Sequence, residues 1–166
     1  MKKLVYLISP SKLHNDFYDD LKKVLSARNV KFFQLRLKKI KKDKIVKIAK
    51  EIKKITRKFN VKLIINDHPN ISKIVSADGC HLGQNDVSII IAKKYLKKKI
   101  IGITCHNSKS LAKIAVKNKA DYLAFGSFNK SKLKPNAKKA SLNILKWAKK
   151  NIKKPIVVIG GINNIN

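Results

Sequence analysis

The stretch KLIINDHPNISKIVSADGCHLGQND, residues 62–86, contains two short apolar runs with polar residues at their ends. The first run, KLIIN, stops at Asn66 and Asp67, and the second, DGCHL, is followed by Asp86. An amphipathic segment separates the two runs, which gives the order strand, helix, strand. Continuously apolar strands joined by helices are typical of parallel sheets that are covered on both faces. The stretch therefore predicts a βαβ unit with an aspartate after each of its strands.

The same alternation continues along the whole chain of 166 residues. Runs rich in β-branched and aromatic residues predict strands at 4–9, 31–37, 62–66, 78–82, 99–104, 121–126 and 155–160. Amphipathic segments between them predict helices at 13–28, 40–58, 69–76, 88–98, 108–118 and 139–150. A chain of this length can bury a substantial core. The sequence predicts one α/β domain built on a parallel sheet.

The formal net charge of +31 raises the alternative of a basic nucleic-acid-binding protein. Arginine, which binds phosphates and bases with two hydrogen bonds, occurs only at positions 28, 36 and 57. The lysines are spread over nearly every predicted helix, which favours a compositional bias over a binding stripe. No apolar run approaches the ~20 residues of a membrane span. We therefore expect no specific nucleic-acid partner and no membrane partner, although a positive field would attract small polyanionic substrates.

Two cysteines, Cys80 and Cys105, are too few for a disulfide framework and form no CxxC motif. They predict reduced, buried thiols and a cytoplasmic location. Cys105 beside His106 suggests a nucleophile pair, but adjacent residues of a strand point in opposite directions. A zinc site at Asp67, His68 and His81 is disfavoured, since the spacing fits no closed cluster.

Asp78 and Asp121 occupy equivalent places in a weak internal repeat. Each follows an alanine, precedes a predicted strand, and is separated by that strand from a glycine. Both positions lie at the N-terminal ends of strands, on the side away from the ligand sites of parallel α/β folds. We expect structural roles for these two aspartates.

Polar residues gather at the opposite, C-terminal ends of the predicted strands, where such folds bind ligands. The candidates are Gln34, Arg36, Lys38, Asn66, Asp67, His81, Gln84, Asp86, Thr104, His106, Ser131, Lys134, Gly160 and Gly161. Gln34, Arg36 and Lys38 alternate along one predicted strand and are expected to point the same way. Basic side chains on an inward face are costly unless they meet an anion. Carboxylates with amide oxygens nearby suit Mg²⁺, so the pattern predicts a magnesium–diphosphate site.

Six stretches carry a resemblance to a known family: FFQLRLK (32–38), LIINDHP (63–69), SADGCHLGQND (76–86), IIGITCHN (100–107), ADYLAFGSF (120–128) and PIVVIGGIN (155–163). In this order they resemble thiamine phosphate synthase, a family of TIM-barrel enzymes, over essentially the whole chain. The resemblance implies a TIM (β/α)8-type barrel. It also implies a transferase that joins a hydroxymethylpyrimidine diphosphate to a thiazole phosphate with release of pyrophosphate.

The resemblance also implies a role for each matching residue. The pyrimidine diphosphate would be bound by Gln34, Arg36, Lys38, Asn66, Thr104 and Lys134. Asp67 and Asp86 would ligate Mg²⁺, and Ser131 and Gly161 would contact the thiazole phosphate. Arg36, Lys38 and Lys134 would be catalytic by stabilising the leaving pyrophosphate. If the pyrophosphate leaves first, a pyrimidine cation forms and no strong base is required.

Three positions depart from the family pattern. Leu37 replaces an acid in a QLREK-like segment, and we expect it to lie on the face opposite Arg36. Thr104 replaces a serine and keeps the hydroxyl. Leu133 replaces a hydroxyl residue in the SKLK segment, 131–134, which predicts a weaker contact with the thiazole phosphate.

An eight-stranded barrel requires one more strand–helix unit than the sequence provides. Residues 1–166 are therefore predicted to form a single, incomplete TIM-barrel domain, truncated after strand seven. Unpaired edges on strands one and seven predict poor solubility, self-association into a homo-oligomer, or partial folding, and the missing unit predicts that the chain is nearly inactive. A related barrel that isomerises thiazole phosphate is the alternative with the same fold; it would need no metal, and the presence of Asp67 and Asp86 argues against it.

Overall fold

The computed structural model describes residues 4–27, 29–129 and 139–162. Strands and helices alternate through these ranges, with seven strands and six helices. Their bounds are β1 Val5–Ile8, α1 Phe17–Leu25, β2 Val30–Leu35, α2 Lys42–Lys58, β3 Lys62–Asn66, α3 Pro69–Ile74, β4 Gly79–Leu82, α4 Ile89–Leu96, β5 Ile100–His106, α5 Lys109–Lys117, β6 Tyr122–Phe125, α6 Leu142–Asn151 and β7 Ile156–Val158. Every strand and helix predicted from the sequence is confirmed. Over the described ranges, no helix has the length and apolar character needed to cross a membrane.

The chain divides into two compact units. The first unit comprises Met1–His81 with Lys93–Ile100, and the second comprises Leu82–Ala92 with Ile101–Asn166. In the first unit, β1, β2, β3 and β4 pair in that order and all run parallel. In the second unit, β5, β6 and β7 pair in the same way. Parallel pairing in chain order is what consecutive βαβ units produce.

The core of the first unit lies between its sheet and its helices. Phe33 and Leu35 of β2 pair in register with Leu63 and Ile65 of β3, and all four are at most 1% exposed. Helix α2 covers this sheet with a buried face that repeats at helical spacing, formed by Ile45, Ala49, Ile52 and Thr56. Burying one large apolar side chain stabilises a fold by about 1.5–3 kcal/mol, so this layer holds β2 and β3 firmly in place.

The core of the second unit is built around β6. Leu123 and Phe125 are completely buried, and Leu123 pairs with Ile103 on one side and Ile156 on the other. Ser108 caps α5 by accepting a hydrogen bond from the Leu111 N–H at 3.2 Å. Gly102 of β5 leaves room for the Tyr122 ring, because a Cβ at residue 102 would lie 1.9 Å from the ring carbon Cζ.

Strand β2 is shorter than predicted, and this corrects the expectation for Arg36 and Lys38. The strand ends at Leu35. The Ser9 N–H donates to the Gln34 carbonyl at 2.9 Å, and the Arg36 N–H then donates to the Ser9 hydroxyl at 2.9 Å. The Arg36 N–H thus donates to a side chain and not to a backbone carbonyl of a neighbouring strand. Arg36 and Lys38 lie in the loop that follows β2. Their alternation with Gln34 along one strand, expected from the sequence, was wrong.

Asp78 and Asp121 have the structural roles predicted for them. The Asp78 carboxylate accepts the Leu63 N–H at 2.8 Å, and the Asp78 N–H donates to the Leu63 carbonyl at 2.9 Å. Asp121 makes the same two contacts with Ile101, each at 2.8 Å. Each aspartate thus holds the start of the preceding strand, one within each unit.

Asp78 also carries an electrostatic contact that Asp121 lacks among the described residues. Lys53 donates to its carboxylate at 2.6 Å, and the Lys62 ammonium lies 3.8 Å away. Burial alone would raise the pKa of Asp78. The hydrogen bonds from Lys53 and Leu63 and the two lysine charges outweigh burial and hold this pKa below its ordinary value.

Candidate active site

Two amide side chains meet at the C-terminal ends of β2 and β3, within the first unit. Gln34 donates from Nε2 to the Asn66 Oδ1 at 3.0 Å. Gln34 is only 3% exposed, so its amide is held by the surrounding core. The contact fixes the orientation of Asn66, which is half-buried at the end of β3. The family resemblance implies that both residues bind the pyrimidine diphosphate, which stays a prediction.

Asp67 is held in an unusual backbone conformation directly after β3. Its φ of 63° lies in the left-handed region, which aspartate tolerates better than most residues. Its N–H donates to the His81 carbonyl at 2.8 Å. Lys38 donates from Nζ to its carboxylate across 29 residues of sequence. The side chain of Asp67 is 13% exposed and that of Lys38 is 49% exposed, so a largely buried carboxylate is paired with a half-exposed ammonium group.

Arg36 precedes Lys38 by two residues in the sequence, and its side chain is half-buried. Its backbone is fixed by Ser9, which is 1% exposed. Among the described residues, the guanidinium has no hydrogen-bond or ion-pair partner. A guanidinium carries five N–H donors, so this group is suited to bind an anion. Leu37, next along the chain, is 8% exposed and belongs to the core.

Ser9 was not among the candidate residues selected from the sequence. Its hydroxyl ends β2 and fixes the backbone of Arg36. The position of Ser9 could have identified this role. Ser9 directly follows the apolar run of β1, and polar residues at the ends of the other strands had been selected as candidates.

In the second unit, Asp86 and Thr104 are connected through the loop that follows β4. The Asp86 carboxylate accepts the Gly83 N–H at 2.7 Å. Gln84 donates from Nε2 to the Thr104 carbonyl. Asp86 and Thr104 are both half-buried. A loop closed by its own aspartate presents that carboxylate in a defined position.

Gly161 lies in a tight turn that follows β7. The φ angles of Gly160 and Gly161 are 96° and 66°, a conformation that favours glycine at both positions. A side chain at residue 160 would also collide with Ser127, whose Oγ is 2.1 Å from the ideal Cβ position. The other predicted thiazole-phosphate residue, Ser131, lies outside the described residues, as do Leu133 and Lys134.

Cys105 is not arranged as a nucleophile. The residue is fully buried, and its thiol points to the Ile103 carbonyl at 3.7 Å. Burial raises the pKa of Cys105 to about 12, so the thiol is neutral at physiological pH. His106 is exposed. The sequence argument against a Cys105–His106 pair is confirmed.

The chain is similar to known proteins over almost its whole length. A family model described as thiamine monophosphate synthase matches residues 5–166. A thiamine-phosphate synthase from Pelagibacter ubique is 55% identical over 166 residues, which covers 99% of this chain and 80% of that protein. A second, from Nitrosomonas eutropha, is 39% identical and covers 96% of this chain and 76% of its own length.

A solved structure is similar along almost the whole chain. Thiamine phosphate pyrophosphorylase from Pyrococcus furiosus matches with a TM-score of 0.88 at 29% identity, over 99% of this chain and 78% of that protein. The match confirms the TIM-barrel fold class predicted from the sequence. With the family model and the relatives in agreement, the chain belongs to the thiamine monophosphate synthase family and is a transferase of that kind.

Proposed function

We propose that this transferase joins 4-amino-2-methyl-5-hydroxymethylpyrimidine diphosphate to thiazole phosphate, forming thiamine phosphate and pyrophosphate. The observation that carries the proposal is the pair of contacts at the ends of β2 and β3. Gln34 contacts Asn66, and Lys38 contacts Asp67. Four of the residues predicted for diphosphate chemistry are thus in contact in pairs within one unit, and Arg36, which is suited to an anion, follows β2 in the same unit.

The basic residues would hold and stabilise the diphosphate. Arg36 and Lys38 would donate charge-assisted hydrogen bonds to its oxygens, which gain negative charge as the pyrophosphate leaves. The Gln34–Asn66 amide pair would supply neutral donors at the same strand ends. Thr104 and Lys134 would complete the diphosphate site, as the family resemblance implies.

The chemistry of the residues that the family resemblance implies as metal ligands suits a divalent cation. Asp67 would offer carboxylate oxygens and Asn66 an amide oxygen, and Asp86 would add a second carboxylate as the family resemblance implies; these are the hard donors that Mg²⁺ prefers. The Asp67 carboxylate accepts a hydrogen bond from Lys38 and the Asp86 carboxylate accepts one from the Gly83 N–H, so each carboxylate is held within its own unit. When bound, Mg²⁺ would neutralise part of the charge on the diphosphate.

Formation of the new carbon–nitrogen bond requires correct orientation of the two substrates and does not require a general base. The bond between the pyrimidine methylene carbon and the diphosphate oxygen breaks, and the electron pair leaves with the pyrophosphate. The thiazole nitrogen then forms the new bond to that carbon. Gly161 and Ser131 would hold the thiazole phosphate by a backbone N–H and a hydroxyl, which sets the direction of attack. A cytoplasmic location and self-association remain predictions of the sequence.

The test is a product assay with both substrates and Mg²⁺. We expect thiamine phosphate and pyrophosphate to form together, and neither to form without the thiazole phosphate. Rearrangement of thiazole phosphate in the absence of metal would indicate the isomerase alternative and overturn the proposal. Inactivity combined with tight, sequence-independent DNA binding that falls steeply with salt would instead favour a nucleic-acid-binding protein.

A further inference from the structure

The ion pair between Lys38 and Asp67 joins two groups of very different freedom. Asp67 is fixed by its left-handed backbone and by the hydrogen bond from its N–H to the His81 carbonyl. Its side chain is 13% exposed, whereas Lys38 is 49% exposed and extends from the loop between β2 and α2. A lysine ammonium sits on a flexible four-carbon stem and is strongly hydrated. Lys38 can therefore leave the pair far more easily than Asp67 can.

The Asp67 carboxylate requires a positively charged partner, because it is largely buried. A carboxylate with little exposure to water is costly without a compensating charge. In the free protein Lys38 supplies this charge. A divalent cation can supply it as well, so Lys38 and a metal ion compete for the same carboxylate.

Lys38 has no alternative acid close to it in the sequence. The loop 36–41 contains three lysines and one arginine but no aspartate or glutamate. All nine acidic residues of the chain are described, and the only ion pair of Lys38 among them is with Asp67. A lysine that leaves Asp67 is therefore drawn to an incoming anion.

We propose that Lys38 is an exchangeable counter-ion of Asp67. In the free protein it occupies the carboxylate and excludes a free divalent cation. When the cation arrives as its diphosphate complex, the cation takes Asp67 and Lys38 moves to the diphosphate. The inference rests on the proposed function, and it makes metal–diphosphate complex, rather than free metal, the species that the site accepts.

The first test measures the binding of Mn²⁺, a spectroscopically visible substitute for Mg²⁺, to the full chain without any diphosphate. Lys38→Met should bind free Mn²⁺ about tenfold more tightly than the wild type, because one opposing charge is removed next to the carboxylate. Lys38→Arg keeps the charge and should behave like the wild type. Lys39→Met is the matched control, since it removes the same charge from the same loop. The gain should disappear when Lys38→Met is combined with Asp67→Asn.

The second test measures labelled inorganic pyrophosphate by equilibrium dialysis, with Mn²⁺ and with a chelator. The wild type should bind the Mn²⁺ complex at least about tenfold more tightly than free pyrophosphate, and Lys38→Met should bind the complex more weakly than the wild type, because the lysine contact with the diphosphate is lost. If the wild type prefers the complex but Lys38→Met binds free Mn²⁺ no better than Lys39→Met does, the exchange is refuted and the proposed function stands. If the wild type binds pyrophosphate under neither condition, the proposed function fails, and the inference fails with it. A Lys38→Met protein that melts earlier with unchanged metal binding would show a structural ion pair only.

Discussion

The two aspartates that precede strands offer a matched pair of substitutions, Asp78→Asn and Asp121→Asn. Each carboxylate accepts a strand N–H at 2.8 Å, and asparagine keeps an oxygen that can accept the same bond. What the substitution removes is the charge. Of the two, only Asp78 forms ion pairs with lysines among the described residues, with Lys53 at 2.6 Å and Lys62 at 3.8 Å.

The expected magnitude follows from the exposure of the Asp78–Lys53 pair. The two side chains are 21% and 25% exposed, between the exposed pairs that contribute about 0.2–1 kcal/mol and the buried pairs whose disruption costs about 3–5 kcal/mol. We expect this pair to contribute about 1–2 kcal/mol. Weakening a charge-assisted hydrogen bond to a neutral one adds about 0.5–1 kcal/mol at both sites. Asp78→Asn should therefore lower the free energy of unfolding by about 2 kcal/mol and Asp121→Asn by less than about 1 kcal/mol.

The decrease in the free energy of unfolding caused by Asp78→Asn should depend on pH in a defined direction. The pKa of Asp78 in the folded state lies below its ordinary value, so its carboxylate stabilises the fold at pH values above the ordinary carboxyl pKa of about 4. This contribution is lost as the pH falls from there through the lowered pKa. The difference between wild type and Asp78→Asn should be full at pH 7 and shrink below about pH 4.

Urea unfolding of the wild type and both variants across this pH range measures the effect. The activity of each folded variant should remain near that of the wild type, since neither aspartate lies at the C-terminal end of a strand. Equal losses in the two variants at pH 7 would refute the role of Lys53. A difference that persists unchanged below pH 4 would refute the ionised carboxylate as its cause.

Three further predictions follow from single contacts. Arg36→Met should reduce turnover by about 10²–10³-fold with little change in melting temperature, because a charged donor to the leaving group is lost; an unchanged rate would remove Arg36 from the mechanism. Cys105 should resist iodoacetamide in the native protein at pH 8 and react after unfolding, since burial raises its pKa to about 12; rapid native labelling would contradict that burial. Gly102→Ala should lower the free energy of unfolding by about 1–3 kcal/mol, because its Cβ would lie 1.9 Å from the Tyr122 ring; an unaltered urea midpoint would contradict that packing.

Local pattern was sufficient to predict the order of strands and helices. The buried residues of α2 recur at helical spacing, and β3 is a continuous apolar run, so each element is encoded within its own segment. The roles of Asp78 and Asp121 were also predictable, because position relative to a strand determines what an aspartate can reach. These inferences need no knowledge of distant contacts.

Contacts between distant segments were not predictable in this way. Strand β2 ends at Leu35, and the next N–H, that of Arg36, donates to the hydroxyl of Ser9, the residue that follows β1. The Lys38–Asp67 pair likewise depends on how a loop folds back, and the apolar pattern carries no information about it. Resemblance to a family identified both residues as functional without indicating that they pair with each other in the free protein.

The measurement that tests the proposed activity most directly is simultaneous quantification of thiamine phosphate and pyrophosphate as Mg²⁺ is varied, in the wild type and in Asp67→Asn. We predict equal amounts of the two products in the wild type and a rate that rises to saturation with Mg²⁺. Asp67→Asn should require more Mg²⁺ and turn over more slowly, since one metal-binding carboxylate is lost. Pyrophosphate released without thiamine phosphate, or a Mg²⁺ dependence unchanged by Asp67→Asn, would contradict the proposal.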